Sequence, residues 1–228
     1  DVDETLLLHE QRAPPMVVLA SPLDMQMLHS SQHWVCDGTF GYCLFTFTQL
    51  YTIHGFEHGE AVPLVAVPPP GKTFAVYVKL FEVVRDALNR RCGSTGALQV
   101  VHFDFETAAI TACQRAFPGA TTKGCLFHFV QCLIRNTGEL GLQVRPRGRF
   151  FCVLVSLLPP ELVFSHWSLK SSQSRETADW AERERIVSPT VRYNGSLHSP
   201  APVELWNYHY DSDNLRTTNH AEGWHSSL

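Results

Sequence analysis

The chain has 228 residues, is 44% hydrophobic and 18% charged, and carries a formal net charge of −4. That length is enough for one large domain or a domain with an insertion, while no apolar run reaches the roughly 18 to 20 residues of a membrane span and Asp1-Val2-Asp3-Glu4 is nothing like a secretory leader. The acidic balance excludes a broadly basic surface; residues 134–192 hold nine Lys/Arg against six Asp/Glu and the remainder nine against sixteen, so any nucleic-acid surface would be local.

The seven cysteines (36, 43, 92, 113, 125, 132 and 152) lie mostly inside apolar stretches rather than at framework spacing, which favours reduced thiols in the cytosol or nucleus. Asn194-Gly195-Ser196 is formally a glycosylation sequon, without meaning in such a compartment. The chain starts without Met, which points to a fragment.

Residues 1–15 show little pattern and close on Pro14-Pro15, so an irregular segment is expected there. Ser21-Pro22-Leu23-Asp24 then reads as a helix start, with a Ser cap, Pro at the first position and an acid in the first turn. Three strands follow, Trp34–Phe40, Tyr42–His54 and Ala61–Val67, rich in β-branched and aromatic residues and joined by short Gly-bearing links, an antiparallel meander. After Pro68-Pro69-Pro70-Gly71, apolar residues at 74, 77, 78, 80, 81, 84 and 88 have the period of an amphipathic helix. A fourth strand (Leu98–Phe103), a helix (Glu106–Phe117), a fifth strand (Thr121–Phe127) and a helix to Arg135 complete a mixed α/β layout. From 138 to 202 the strand signal is lost, and 150–158, 160–169 and 177–186 read as helices of an insertion. Asp213 to His225 reads as a loop entering a helix.

Two acids stand out. The apolar run Trp34-Val35-Cys36 delivers Asp37 to Gly38-Thr39, and Leu98 to Phe103 delivers Asp104. A carboxylate at the inner edge of a sheet is costly to desolvate unless it is paired, protonated or holding a metal. Two such strands side by side would bring the carboxylates together, and like charges at that distance are tolerated best around a divalent cation. Without further context, a turn or capping Asp is an equal reading of each. Glu106 is a rival ligand, though its position suits an acid in the first turn of a helix.

Asp37-Gly38-Thr39-Phe40, Gln49 with Tyr51 and His54, Val62-Pro63-Leu64, Lys72 with Tyr77 and Leu80, Asp104-Phe105-Glu106 with Ala108-Ala109, Phe117-Pro118, Gly124-Cys125-Leu126-Phe127-His128 with Gln131, and Arg216 and Asn219 with Glu222, Trp224 and His225 form ordered blocks. Together they resemble the Mutator-like element (MULE) transposase domain, collinearly over roughly residues 16 to 228. The resemblance implies an α/β, ribonuclease H-like mixed five-stranded sheet flanked by helices, with an all-α insertion before the last catalytic helix. It divides the chain into the irregular segment 1–15, a first part of the core at 16–137, the helical insertion at 138–202 and a return to the core at 203–228, whose catalytic helix is truncated.

The function implied is that of the catalytic domain of a DDE-type DNA transposase, nicking and joining DNA at transposon ends in the nucleus. Carried over by position, Asp37, Asp104 and Glu222 are the catalytic acids and metal ligands. Cys125, His128, Asn219 and His225 are candidates for groups beside the acids or facing DNA, and Arg145, Arg147, Arg149 and Arg216 for phosphate contacts. The expected cofactor is a pair of Mg²⁺ (or Mn²⁺) ions, which take hard oxygen ligands and stabilise the charge on attacking and leaving oxygens. The expected partners are transposon terminal repeats and target DNA, with a homodimer or higher assembly on DNA and no membrane.

Rival motifs are weaker. Cys125-x-x-His128 lacks a second close Cys/His pair, so structural zinc is not expected. Pro70-Gly71-Lys72-Thr73 has Ala66 where a phosphate loop opens on Gly. No Gly-x-Ser-x-Gly occurs. Three features depart from the family: the Pro68-Pro69-Pro70 tract, a loosely similar insertion around residues 145–200, and an end at Leu228 before the last helix can finish; the amino-terminal zinc-finger-type module that family members often carry is also absent from this sequence. The alternative function is therefore a domesticated or degenerate transposase domain that binds DNA or protein without catalysis. An ordinary ribonuclease H-like nuclease would need no helical insertion.

Overall fold

The computed structural model describes residues 6–39, 47, 49–57, 60–139, 156–159, 190–193, 196–200 and 203–208. The helices expected at 160–169 and 177–186 and the helix entry at 213–225 lie outside these residues. The chain divides into two compact units, one holding residues up to Lys123 and the other Gly124–Thr217.

The first unit is built on a hairpin that the sequence did not announce. β1 (Leu7–Arg12) and β2 (Pro15–Leu19) pair antiparallel from Leu7↔Leu19 to Arg12↔Pro15. Residues 1–15 are therefore not irregular throughout. Pro15 opens its strand, where a missing N–H is tolerated, and Met16, Val18 and Ala20 are buried at alternate positions. Next comes α1 (Pro22–Ser30), with a reciprocal cap: Asp24 N–H donates to Ser21 Oγ (3.1 Å) and Ser21 N–H to Asp24 Oδ2 (2.7 Å).

β3 (His33–Thr39), β4 (Leu50–Glu57) and β5 (Glu60–Val67) form the expected antiparallel meander. α2 (Phe74–Cys92) starts on a Thr73 cap and ends at Gly93, whose φ of 80° suits a residue without Cβ. β6 (Val100–Phe103), α3 (Thr107–Ala116) and β7 (Thr121–Gly124) follow. The strands form one sheet in the order β1-β2-β5-β4-β3-β6-β7, seven where five were expected, the hairpin supplying the difference. β3 and β6 are parallel, which makes the sheet mixed.

Large side chains from the strands pack on the helices. Tyr51 of β4 meets Tyr77 of α2 (ring centroids 5.1 Å apart), Phe103 of β6 meets Phe81 of α2 (6.3 Å), and Trp34 of β3 stands edge-on to Phe117 (5.1 Å). The Trp34 indole donates to Leu28 O (3.1 Å), so the polar end of this buried ring is satisfied. In α2 the buried Tyr77, Leu80, Phe81, Val84 and Leu88 repeat the period read from the sequence. The unit is thus α/β, a mixed sheet flanked by helices, in which Asp37 lies on β3 and Asp104 directly follows its neighbour β6.

In the second unit, α4 (Leu126–Glu139) is followed by a hairpin of β8 (Thr190–Tyr193) and β9 (Ser196–Pro200), then the short α5 (Val203–Trp206). The hairpin corrects the expectation of an all-α insertion. Phe129 stacks on Trp206 (4.6 Å), Tyr208 N–H donates to Ser156 O (2.8 Å), Asn207 Nδ2 donates to Leu158 O (2.9 Å), and the Tyr208 hydroxyl donates to Gly124 O. No helix among the described residues is long and apolar enough to cross a membrane.

Candidate functional site

Asp37 lies on β3, and Asp104 directly follows β6. β3 and β6 pair in parallel with His33↔Val100, Trp34↔Val101 and Val35↔His102, so both acids lie toward the same end of two neighbouring strands. Behind them on the same strands, His33 and His102 stack with centroids 6.0 Å apart.

Asp37 is 6% exposed, and its Oδ1 accepts the Gly38 N–H (2.9 Å). Its carbonyl accepts the Thr52 hydroxyl (3.3 Å), which in turn pairs with His54 Nε2 (2.9 Å). Gly38 is required here by contact. A Cβ at this position would lie 2.5 Å from Gln49 Oε1 and 3.1 Å from its Cδ. Gln49 is fully buried and cannot yield easily, because its Nε2 donates to the Tyr77 hydroxyl (2.8 Å).

At the end of β6 the chain takes an unusual path. Phe105, between Asp104 and Glu106, has φ of 62° although it carries a side chain, and that side chain is buried. Such a left-handed residue costs roughly 1–2 kcal/mol and persists only where its surroundings over-determine it. Glu106 then stands at the N-cap of α3 but makes no side-chain capping bond. The sequence placed it as an ordinary acid of a first helical turn; its carboxyl is instead buried, with Oε2 3.4 Å from Lys72 Nζ.

The Tyr77 hydroxyl lies within hydrogen-bonding reach of the same carboxyl, while Oε1 is buried without a partner. Burial pushes the proton affinity of Glu106 up, Lys72 opposes this, and the nearby Asp104 adds to it. The negative potential spreads. Burial holds the Cys36 thiol and the Tyr51 and Tyr77 phenols well above their ordinary values, and Asp104 reinforces the shift at all three.

The remaining expected residues fall elsewhere. Cys125 is buried and follows β7 rather than lying on a strand; its carbonyl accepts Phe129 N–H (3.0 Å), opening α4, and His128 stands half-buried in the first turn. Glu222, Asn219, His225, Arg216, Arg145, Arg147 and Arg149 lie outside the described residues. Among the described residues no three His, Cys, Asp or Glu side chains stand in a metal-holding arrangement.

Sequence reasoning did not foresee the polar cluster of Gln49, Lys72, Tyr77 and Glu106. All four were visible only as scattered positions of the family blocks, and their convergence depends on contacts between β4, α2 and the end of β6. No protein-family model matches the chain, and no curated protein matches it.

Proposed function

We propose that the chain is the catalytic domain of a Mutator-like DNA transposase with a ribonuclease H-like fold, cutting and joining phosphodiester bonds at transposon ends with a divalent cation. The observation that carries this reading is the parallel pairing of β3 with β6, the strand that bears Asp37 and the strand that leads into Asp104, in a sheet whose other central pairs are antiparallel. The sequence supplies the third acid, Glu222, in the Asn219 to His225 block.

The donor set suits Mg²⁺ or Mn²⁺. The acids offer hard carboxylate oxygens, and Asp37 is buried near the end of β3 with Oδ1 accepting a backbone N–H. Asp37 and Asp104 would hold such an ion together with Glu222; when bound, it stabilises the negative charge on the attacking and leaving oxygens. The chain's part is positional. β3 and β6 fix the two carboxylates on adjacent backbones, Gly38 keeps that approach open, and the buried aromatic layer beneath excludes water. No protein nucleophile is called for, since the attacking group is water or a 3′ hydroxyl.

The test is nicking of supercoiled plasmid and of terminal-repeat duplexes with Mg²⁺ or Mn²⁺, using the parent chain, Asp37→Asn and Asp104→Asn. Activity in the parent and a fall of about a thousandfold or more in each variant is expected, the scale typical of removing a group that acts only in the transition state. DNA binding without metal-dependent nicking would overturn the catalytic reading in favour of a domesticated binding module.

A further inference from the structure

Four polar side chains meet beside the two strand ends, where apolar groups would pack without losing hydration. Gln49 is fully buried just before β4, and its Nε2 donates to the Tyr77 hydroxyl (2.8 Å). Tyr77, fully buried on α2, presents that hydroxyl to the Glu106 carboxyl, and Lys72 Nζ stands 3.4 Å from Glu106 Oε2. Such a cluster is unfavourable unless its members satisfy one another, and when they do it specifies one arrangement of the elements that carry it. The donors run one way. With the phenol O–H directed to the carboxyl, only the N–H of the Gln49 amide can bond the phenol oxygen. Gln49 Oε1 is thereby turned onto Gly38, and it is buried with no hydrogen-bond partner among the described residues.

The two ends of this chain of contacts fall beside the two acids. Gly38 adjoins Asp37, and Glu106 lies two residues beyond Asp104, across the left-handed Phe105. The register of β3 with β6 stops at Val35↔His102, two residues short of each acid. We propose that Tyr77 is a positioning residue for the phosphodiester chemistry: its hydroxyl joins Gln49 to Glu106, and through this strut α2 holds the β3 end that bears Asp37 and the turn that follows Asp104 in one fixed relation. The inference rests on the proposed function and adds to it a residue that acts through others. The Tyr77 ring, packed on Tyr51 of β4 (centroids 5.1 Å apart), keeps the hydroxyl in place.

Nicking of supercoiled plasmid by the full chain with Mg²⁺, measured over a range of plasmid concentrations, separates positioning from packing. Tyr77→Phe keeps the ring and removes only the joint. Tyr51→Phe is the control, since it removes the hydroxyl of the ring packed against Tyr77, which faces Cys36 and lies outside the strut. Tyr77→Phe is expected to lower kcat about tenfold or more, the scale of losing a group that orients site side chains, with KM for plasmid within about twofold of the parent. Tyr51→Phe is expected to leave both constants within about twofold. Gln49→Met, of similar volume without either polar atom, should repeat the Tyr77→Phe loss, and the double variant should lose no more than either alone, because members of one unit are not additive. If the parent nicks but Tyr77→Phe and Tyr51→Phe change kcat alike, or if the Gln49→Met and Tyr77→Phe losses multiply, this proposal fails and the proposed function stands. A parent that does not nick overturns the proposed function and this inference with it. Should Tyr77→Phe not fold, Gln49→Met against Tyr51→Phe decides on the same scale.

Discussion

The neighbouring ends of β3 and β6 each carry an aspartate, and the two ends are built by different means. At the β3 end, Asp37 is followed by a glycine against which Gln49 packs, and its carboxylate is met by a local backbone N–H. At the β6 end, Asp104 is followed by a bulky residue in a left-handed conformation and then by a buried, charge-paired glutamate. One end is set by close approach and the other by strain and charge. The first is rigid because nothing larger fits. The second is held only as long as the aromatic anchor and the Lys72 contact hold it.

The largest effect separating the two ends is expected at Phe105. Removing its buried ring in Phe105→Ala is expected to cost about 3–5 kcal/mol in urea unfolding. Phe105→Gly removes more side chain but suits a positive φ, so it should be the more stable of the two by roughly 1 kcal/mol. Should Ala prove the better tolerated, strain at this turn is not what distinguishes the β6 end.

A smaller loss is expected at the β3 end from Gly38→Ala. The added methyl displaces Gln49 and with it the Gln49–Tyr77 hydrogen bond, an overpacking cost of about 1–3 kcal/mol in the same assay. An unchanged midpoint would mean that Gln49 moves aside freely and that the β3 end is looser than the contact distances imply.

The smallest effect is a slope. Because burial raises the Glu106 proton affinity above that of an ordinary carboxyl, the native state holds its proton more tightly than the unfolded chain. The associated stability is complete below the unfolded pKa and is lost as pH rises through the raised native value. Thermal midpoints of the parent should therefore decline over this interval relative to Glu106→Gln, whose curve lacks that component. Parallel curves would place Lys72 in full control of the carboxyl.

That β3 and β6 are neighbours was legible because each is an apolar run leading into an Asp, and the two strands do pair in parallel. What stayed hidden depends on distant partners or on misread punctuation. Pro14-Pro15 looked like a stop, yet a proline at a strand's first position leaves the hairpin intact. Asn194-Gly195-Ser196 read as a sequon, while Asn-Gly is a strong two-residue hairpin signal in sequence, and β8 and β9 pair antiparallel up to Tyr193 opposite Ser196. Glu106 looked like a helix-start acid because nothing local in the sequence shows that Lys72 and Tyr77, on and before α2, turn toward it.

The parallel pairing of β3 with β6 also has a kinetic side. β4 and β5 pair as far as Glu57 opposite Glu60, three positions apart in sequence, whereas His33 must find Val100 across the whole of β4, β5 and α2. Closing so long a loop is entropically uphill until the intervening meander and helix have shortened the effective distance. A chain emerging during synthesis therefore has no acid pair until β6 has been made and has docked. Until then Asp37 sits on a nascent sheet that lacks the strand leading into Asp104.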